Sequence, residues 1–137
     1  MAVVSIADRV RHFLEAPRFA VLATVNSDGS PHLTVVWYEF RDEELVFNTT
    51  ARRVKAQNLA RDPRVSILVG DEATYVRIDG RTREKARGSA ALEDIRRLAV
   101  RYDGREQAER NVREVWSKQQ RVTYAISVER VYEYGFE

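Results

Sequence analysis

Two hydroxyl side chains and three cations stand close together in the segment NTTARRVKAQNL, residues 48–59. Thr49 or Thr50 is a suitable N-cap, so a helix is predicted to begin directly after them. Three of its first five positions would then be the cations Arg52, Arg53 and Lys55. Free N–H groups and the helix dipole favour anions at this position, and each cation there costs about 0.3–1 kcal/mol.

Hydroxyls, free N–H groups and cations at one helix start together indicate a phosphate site. The alternative is that the long basic side chains simply extend into water.

Other chemistry is poorly supported by the sequence. There is no cysteine, which excludes disulfides, thiolate catalysis and iron–sulfur ligation. His12 and His32 lie far apart, outside any metal-ligand spacing, so both are predicted to be structural and no metal site is expected.

The composition is that of an ordinary globular domain. The 137 residues suffice for one domain, 1–137, and 23 cations oppose 21 acids with the signs mixed along the chain. A net charge of +2 is weak evidence for nucleic-acid binding. No apolar run approaches the length of about 18 residues that spans a membrane, and the start lacks a signal-peptide pattern, so a cytoplasmic protein is expected.

Apolar periodicity predicts the elements that must position the basic segment. A helix is expected over about 5–16, a hairpin over 18–25 and 32–40, and a third strand over 45–50 that completes a three-stranded meander. Further strands are predicted at 65–70, at 74–84 as one strand or a hairpin, and at 121–136, with two helices between 89 and 116. Six strands without a βαβ rhythm favour a mainly β (α+β) fold, a small antiparallel barrel with flanking helices.

The order of these motifs resembles the pyridoxamine 5'-phosphate oxidase-like split β-barrel proteins, in particular a short actinobacterial-type branch that uses the deazaflavin coenzyme F-420. The resemblance is carried by FAVLATVNSDGSPHLTVVWYEF, TARRVKAQNLARDPRVSILV, TYVRIDGR, IRRLAVRYDG and RVTYAISVERVYEYG. Its most specific part is R-x-K-x-x-N-L-x-x-D-P, from Arg53 to Pro63. The closing VYEYGFE departs from the true vitamin B6 oxidases, whose reaction is therefore not expected.

The resemblance implies a six-stranded antiparallel split barrel that forms a homodimer, with two cofactor sites at the interface built from both chains. The strand before the motif and its basic residues would hold the cofactor phosphate, while an apolar strand would lie beside the ring system. Asn48 would lie near the same edge, and Tyr75 would approach from the partner chain. The cofactor-binding residues implied in this way, together with Arg52 from the basic segment, are Val35, Val36, Trp37, Asn48, Thr49, Thr50, Arg52, Arg53, Lys55 and Tyr75.

The implied activity is that of a coenzyme F-420-dependent oxidoreductase, which transfers a hydride from the reduced deazaflavin to a small conjugated or planar organic substrate. Such a cofactor carries the redox chemistry in its own ring, so no catalytic residue is assigned. A proton would come from solvent or from Tyr38. The alternatives are an FMN-dependent reductase or oxidase of the same fold, and a carrier protein that binds F-420 or flavin without turnover.

Two other features have more than one interpretation. If residues 81–87 are extended, Arg81, Arg83, Lys85 and Arg87 share one strand face. This basic stripe could attract the oligoglutamate tail of F-420, or it could protect an edge strand from aggregation.

The two tryptophans are also open to interpretation. Helical spacing predicts a core position for Trp116, and Trp37 could pack on the cofactor ring or line the dimer interface.

Overall fold

The computed structural model describes residues 4–136. In that range seven strands form one antiparallel sheet in the order β2-β1-β5-β6-β7-β4-β3, with four α-helices and one short 3-10 helix around it. The helices are α1 Asp8–Glu15, α2 Val54–Arg61, α3 Gly88–Asp103, α4 Arg105–Glu114 and the 3-10 helix Trp116–Lys118. The strands are β1 Ala20–Val25, β2 Pro31–Val36, β3 Glu39–Arg41, β4 Glu44–Thr50, β5 Arg64–Gly70, β6 Tyr75–Arg87 and β7 Arg121–Tyr134.

The predicted fold class, antiparallel β with flanking helices, is confirmed, but the strand count is seven instead of six. The predicted strand 32–40 is interrupted between β2 and β3 because Tyr38 turns inward. Its side chain is fully buried, its hydroxyl donates to the Ala16 carbonyl at 3.0 Å, and its N–H donates to the Tyr102 hydroxyl at 3.1 Å. The backbone at Tyr38 therefore leaves the ladder.

The predicted hairpin of β1 and β2 is confirmed, whereas the three-stranded meander is wrong. β4 pairs with β3 and β7 and not with β2. Consequently β2 and β3 are the two edges of the sheet, and within residues 4–136 no ladder joins them. This opening is the split that the family resemblance implied.

The stretch predicted as one strand or a hairpin at Asp79-Gly80 is one continuous strand, β6, with a bulge at that point. A Cβ added to Gly80 would lie 2.1 Å from the Ser127 carbonyl oxygen, so the close approach of β6 and β7 requires a glycine here. The long strands β6 and β7 lie in the interior of the sheet order, and the fully buried Val10 and Leu14 of α1 belong to the same hydrophobic core as the sheet residues.

The described helices, from α1 to α4, include none that is long and apolar enough to cross a bilayer.

Candidate anion-binding site

A groove of about 390 Å³ lies between the end of β2, the end of β4, the start of α2 and one side of α3. This volume is at the lower end of the range for ligand pockets, about 300–1,000 Å³. We call the part formed by Arg53, Lys55 and Arg121 its basic end and the aromatic and aliphatic part its apolar end; the two adjoin where the Arg121 guanidinium lies 5.9 Å from the centre of the Trp116 ring. Its lining residues are Phe19, Val35, Val36, Trp37, Asn48, Thr49, Thr50, Arg53, Lys55, Ile95, Leu98, Trp116 and Arg121.

The groove brings together eight of the ten residues predicted to bind a cofactor. They are Val35, Val36, Trp37, Asn48, Thr49, Thr50, Arg53 and Lys55. Arg52 is exposed and does not line the groove. Tyr75, at the start of β6, stacks on Tyr134 with ring centroids 5.2 Å apart and is also outside it. That the eight residues bind a cofactor stays a prediction.

The start of α2 differs from the prediction in a way that changes the electrostatic argument. Thr49 and Thr50 belong to β4, where they pair with β7, so neither caps a helix. The helix begins three residues later than predicted, with Arg53 as an extended N-cap residue that makes no side-chain cap bond. Only Lys55 therefore lies in the first helical turn, and the predicted dipole penalty for Arg52 and Arg53 is wrong.

Three cations nevertheless meet in the groove: Arg53, Lys55 and Arg121. No carboxylate lines the groove, and none of the three takes part in an ion pair within residues 4–136. Lys55 is only 8% exposed, although lysine is rarely buried without a partner. The donor set therefore fits a phosphate, which would supply the missing negative charge.

The pKa values of the cluster reflect the same lack of counter-charge. Burial lowers the pKa of Lys55, and the neighbouring charges of Arg53 and Arg121 lower it further. Burial also lowers the pKa of Arg121 to about 10, with a smaller contribution from Arg53. Each group would be protonated more readily in the unfolded chain than in the unliganded fold. The cluster is therefore destabilising until an anion binds.

We expect the substitution Lys55→Met to stabilise the unliganded protein at pH 7. Because the folded-state pKa of Lys55 is lowered, its charge destabilises the fold fully at pH values below the folded pKa; the penalty shrinks above that pKa and is gone above the ordinary value of 10.5. Each kcal/mol relieved would raise the melting temperature by about 2–5 °C in a domain of this size. Thermal unfolding from pH 7 to pH 11 tests this.

In that experiment the stability difference between Lys55→Met and wild type must shrink toward the alkaline end. Lys85→Met, at an exposed lysine in β6, is the matched control and should leave the melting temperature nearly unchanged. A lower melting temperature for Lys55→Met than for wild type at pH 7 would contradict an uncompensated buried charge.

Arg121 was not predicted from the sequence. It is the first residue of β7, 68 positions after Arg53 along the chain, and it reaches the groove because β7 pairs with β4 so that Arg121 lies opposite Thr50. The sequence shows only an arginine at the start of a strand in which apolar residues alternate, and this pattern is too common to identify a site.

The apolar end of the groove is formed by aromatic side chains. Trp37 stacks on Tyr102 at 5.1 Å with an interplanar angle of 11°, and Trp116 meets Trp37 edge-on at 6.3 Å. Phe19 is 67% exposed at the same end. Such a wall suits a planar ring.

The core position predicted for Trp116 is wrong, because α4 ends at Glu114 and the 3-10 helix places this ring in the groove.

Tyr38 is not placed to donate a proton in the groove. It is fully buried, burial raises its pKa to about 12, and its hydroxyl already donates to the Ala16 carbonyl. Among residues 4–136 the groove lining contains no tyrosine, histidine or carboxylate. Of the two proton sources considered, only solvent is consistent with the geometry.

The basic stripe is extended, as assumed, but it does not present free cations on one face. A bulge between Glu84 and Ala86 interrupts the alternation. The ladder between β5 and β6 ends at Arg81, so residues 82–87 pair with β7 alone and form a local edge, as the alternative of a protected edge strand requires. Three of the four cations are paired with carboxylates: Arg81 with Glu129 at 3.2 Å, Arg83 with Glu44 at 2.7 Å and Arg87 with Glu84 at 2.7 Å.

Comparison with known proteins gives one family match and many structural matches. A family model described as pyridoxamine 5'-phosphate oxidase matches residues 6–135. The conserved hypothetical protein Rv2991 from Mycobacterium tuberculosis is 30% identical, with a TM-score of 0.80 over 98% of this chain and 88% of that one.

Two further solved structures share the fold at lower identity. An F-420 reductase is 24% identical, with a TM-score of 0.70 over 89% of this chain and 94% of that one. A heme-binding protein from Mycobacterium smegmatis is 21% identical, with a TM-score of 0.67 over 97% of this chain and 56% of that one.

Proposed function

Since the chain belongs to the pyridoxamine 5'-phosphate oxidase family, we propose that it is an oxidoreductase that binds coenzyme F-420 with the cofactor phosphate at the basic end of the groove. The observation that carries the proposal is the cluster of three cations that has no carboxylate partner in the described part of the chain. A bound phosphoester offsets the charge that makes Lys55 and Arg121 costly in the unliganded protein.

The residues of the groove divide the work of binding. Arg53, Lys55 and Arg121 bind the phosphate, and the hydroxyls of Thr49 and Thr50 at the end of β4 are available as further donors. The aromatic wall of Phe19, Trp37 and Trp116 receives a planar ring and excludes water from it. When bound, the deazaflavin supplies the hydride chemistry in its own ring.

The choice of F-420 over FMN is supported by the sequence resemblance to the F-420 branch, and an F-420 reductase is among the proteins that share the fold. The basic end of the groove suits either cofactor, because both carry a phosphate on a ribityl chain. The paired basic stripe gives no additional support for an oligoglutamate tail. Exposed Arg52, next to Arg53, is a better position for contact with that tail.

We also propose that the protein is a homodimer whose interface adjoins the groove. Valine and leucine side chains stand in register across three strands on the outer face of the sheet: Val35 of β2, Val21 of β1 and Leu68 of β5. They are 66%, 36% and 41% exposed. A second copy is the occupant that fits, because Val35 belongs both to this face and to the groove, so a partner covering the face would also cover the cofactor.

The cofactor is tested by titrating the protein with F-420 and with FMN and following the quenching of tryptophan fluorescence, since Trp37 and Trp116 line the groove. Tighter binding of F-420 than of FMN is expected, and the reverse order would replace F-420 by FMN.

Turnover is tested separately by mixing reduced F-420 with a conjugated enone and following the absorbance of the oxidised deazaflavin. Oxidation that depends on enone and protein together supports an enzyme. Tight binding without oxidation across a panel of planar acceptors would identify a carrier.

A further inference from the structure

A continuous chain of polar side chains leads from α3 to the basic end of the groove. Its members are Asp94 on α3, Thr123 on β7, Asn48 on β4 and Arg121 at the start of β7. Thr123 is fully buried, so its hydroxyl cannot exchange these partners for water. Such a chain is unusual beside an otherwise apolar core, and its end lies in the groove.

The groups at the two ends of the chain, the Asp94 carboxylate and the Arg121 guanidinium, determine which atom donates and which accepts in each hydrogen bond. The ionised Asp94 carboxylate only accepts, so the Thr123 hydroxyl donates to it at 2.8 Å. That hydroxyl must then accept from the Asn48 amide nitrogen, at 2.9 Å. The same nitrogen donates to the Ala91 carbonyl, also at 2.9 Å, which excludes the flipped amide.

This orientation leaves the Asn48 carbonyl oxygen facing Arg121, whose Nε donates to it at 2.9 Å. The Nη1 atom of Arg121 donates to the Gln119 side chain at 2.7 Å. Within the described residues no protein acceptor is bonded to Nη2. The guanidinium is therefore held by two of its nitrogens while it lines the groove, and its remaining donors are available to a ligand.

We propose that Thr123 and Asp94 are positioning residues that hold, through Asn48, the guanidinium of Arg121 as the third phosphate-binding cation. The inference rests on the proposed function, because it assigns a task within the phosphate end of the same groove. Arg41 assists at the far end, where its Nη2 lies 3.6 Å from the Asp94 carboxylate. The arrangement partly offsets the cost of keeping this half-buried guanidinium charged before the anion arrives.

The test uses two ligands that differ only in the phosphate, FMN and riboflavin, and measures how much tighter the wild-type protein binds FMN. If the protein binds deazaflavins alone, the same ratio is taken between the tail-free deazaflavin that carries a phosphate on its ribityl chain and the same compound without the phosphate. A residue that acts on the phosphate changes this ratio. A residue that only supports the fold weakens both ligands equally.

Thr123→Val keeps the shape of the side chain and removes the hydroxyl, so it is expected to lower the ratio about three- to tenfold. Thr123→Ser restores the donor and should restore the ratio. The matched control is Thr34→Val, because the Thr34 hydroxyl is buried without a hydrogen-bond partner, and this variant should leave the ratio unchanged.

A double-mutant cycle shows whether Thr123 acts through Arg121. Arg121→Met should lower the ratio about tenfold or more, and adding Thr123→Val to it should then have no further effect. If Thr123→Val does not fold, Asp94→Ala at the partly exposed end of the chain takes its place, with the same expectation.

An unchanged ratio in Thr123→Val, or in Asp94→Ala where that variant is used, would overturn this inference. If Arg53→Ala still lowers the ratio in that case, the proposed phosphate site stands without its positioning chain. If Arg53→Ala leaves the ratio unchanged as well, the proposed site itself is wrong.

Discussion

The double variant Arg53→Ala/Lys55→Ala is expected to bind F-420 and FMN about 10²–10⁴ times more weakly than the wild type. Each lost charge-assisted hydrogen bond to a phosphate is worth about 1.5–3 kcal/mol, so two contribute about 3–6 kcal/mol. Both side chains line the basic end of the groove, and neither has a carboxylate partner there that would be left unpaired. Fluorescence titration at fixed ionic strength measures the change.

Two controls separate a contact with the phosphate from a general loss of positive charge. Arg52→Ala removes the neighbouring exposed cation and should change FMN binding less than threefold. Riboflavin, which lacks the phosphate, should bind the double variant and the wild type with similar affinity. If the double variant keeps its affinity for both cofactors, the phosphate is bound elsewhere and the proposed site is wrong.

The basic segment shows what a sequence can reveal about such a site. Two hydroxyls and three cations within seven residues predicted a site, and four of those five residues line the groove. The predicted helix start is wrong, because Thr49 and Thr50 are the last residues of a strand and the helix begins at Val54. Local composition was informative, whereas the exact helix start depended on pairing with a strand far along the chain.

The family motif separates in the structure into residues with different tasks. Arg53 and Lys55 line the groove, whereas Asn58 attaches α2 to the sheet through hydrogen bonds to Thr24 and Asn26 at 3.0 Å each. Asp62 accepts from the Arg64 backbone and side chain after the helix ends, which lowers the pKa of its carboxyl to about 2. Asn58 and Asp62 of the motif are therefore structural, which the sequence alone does not reveal.

The residues that were missed or misassigned owe their positions to long-range pairing. Arg121 reaches the groove through the β4–β7 ladder, and Trp116 does so because α4 ends early. Tyr38 continues the apolar pattern of the predicted strand, yet its side chain lies in the core, where its hydroxyl donates a hydrogen bond to the Ala16 carbonyl. Periodicity measures only local preference, and each of these outcomes depends on which distant element is packed alongside.

Val21→Asp is expected to convert the proposed homodimer into monomers. Val21 lies between Val35 and Leu68 in the apolar row, so a carboxylate there would be buried at the interface without a partner. By symmetry the charge enters the interface twice, and a cost of at least about 3 kcal/mol raises the dissociation constant by a hundredfold or more. Sedimentation velocity at micromolar protein measures the change in mass.

The matched control for this variant is Val115→Asp, which places the same charge at a valine that is 44% exposed outside the sheet and should remain dimeric. Cofactor affinity provides a second result. If a partner covers the open side of the groove through Val35, monomeric Val21→Asp must also bind F-420 and FMN more weakly, even though Val21 itself does not line the groove. If the Val21→Asp monomer keeps its cofactor affinity, one chain suffices to form the site. If the wild-type protein is itself monomeric at these concentrations, the proposed interface does not exist.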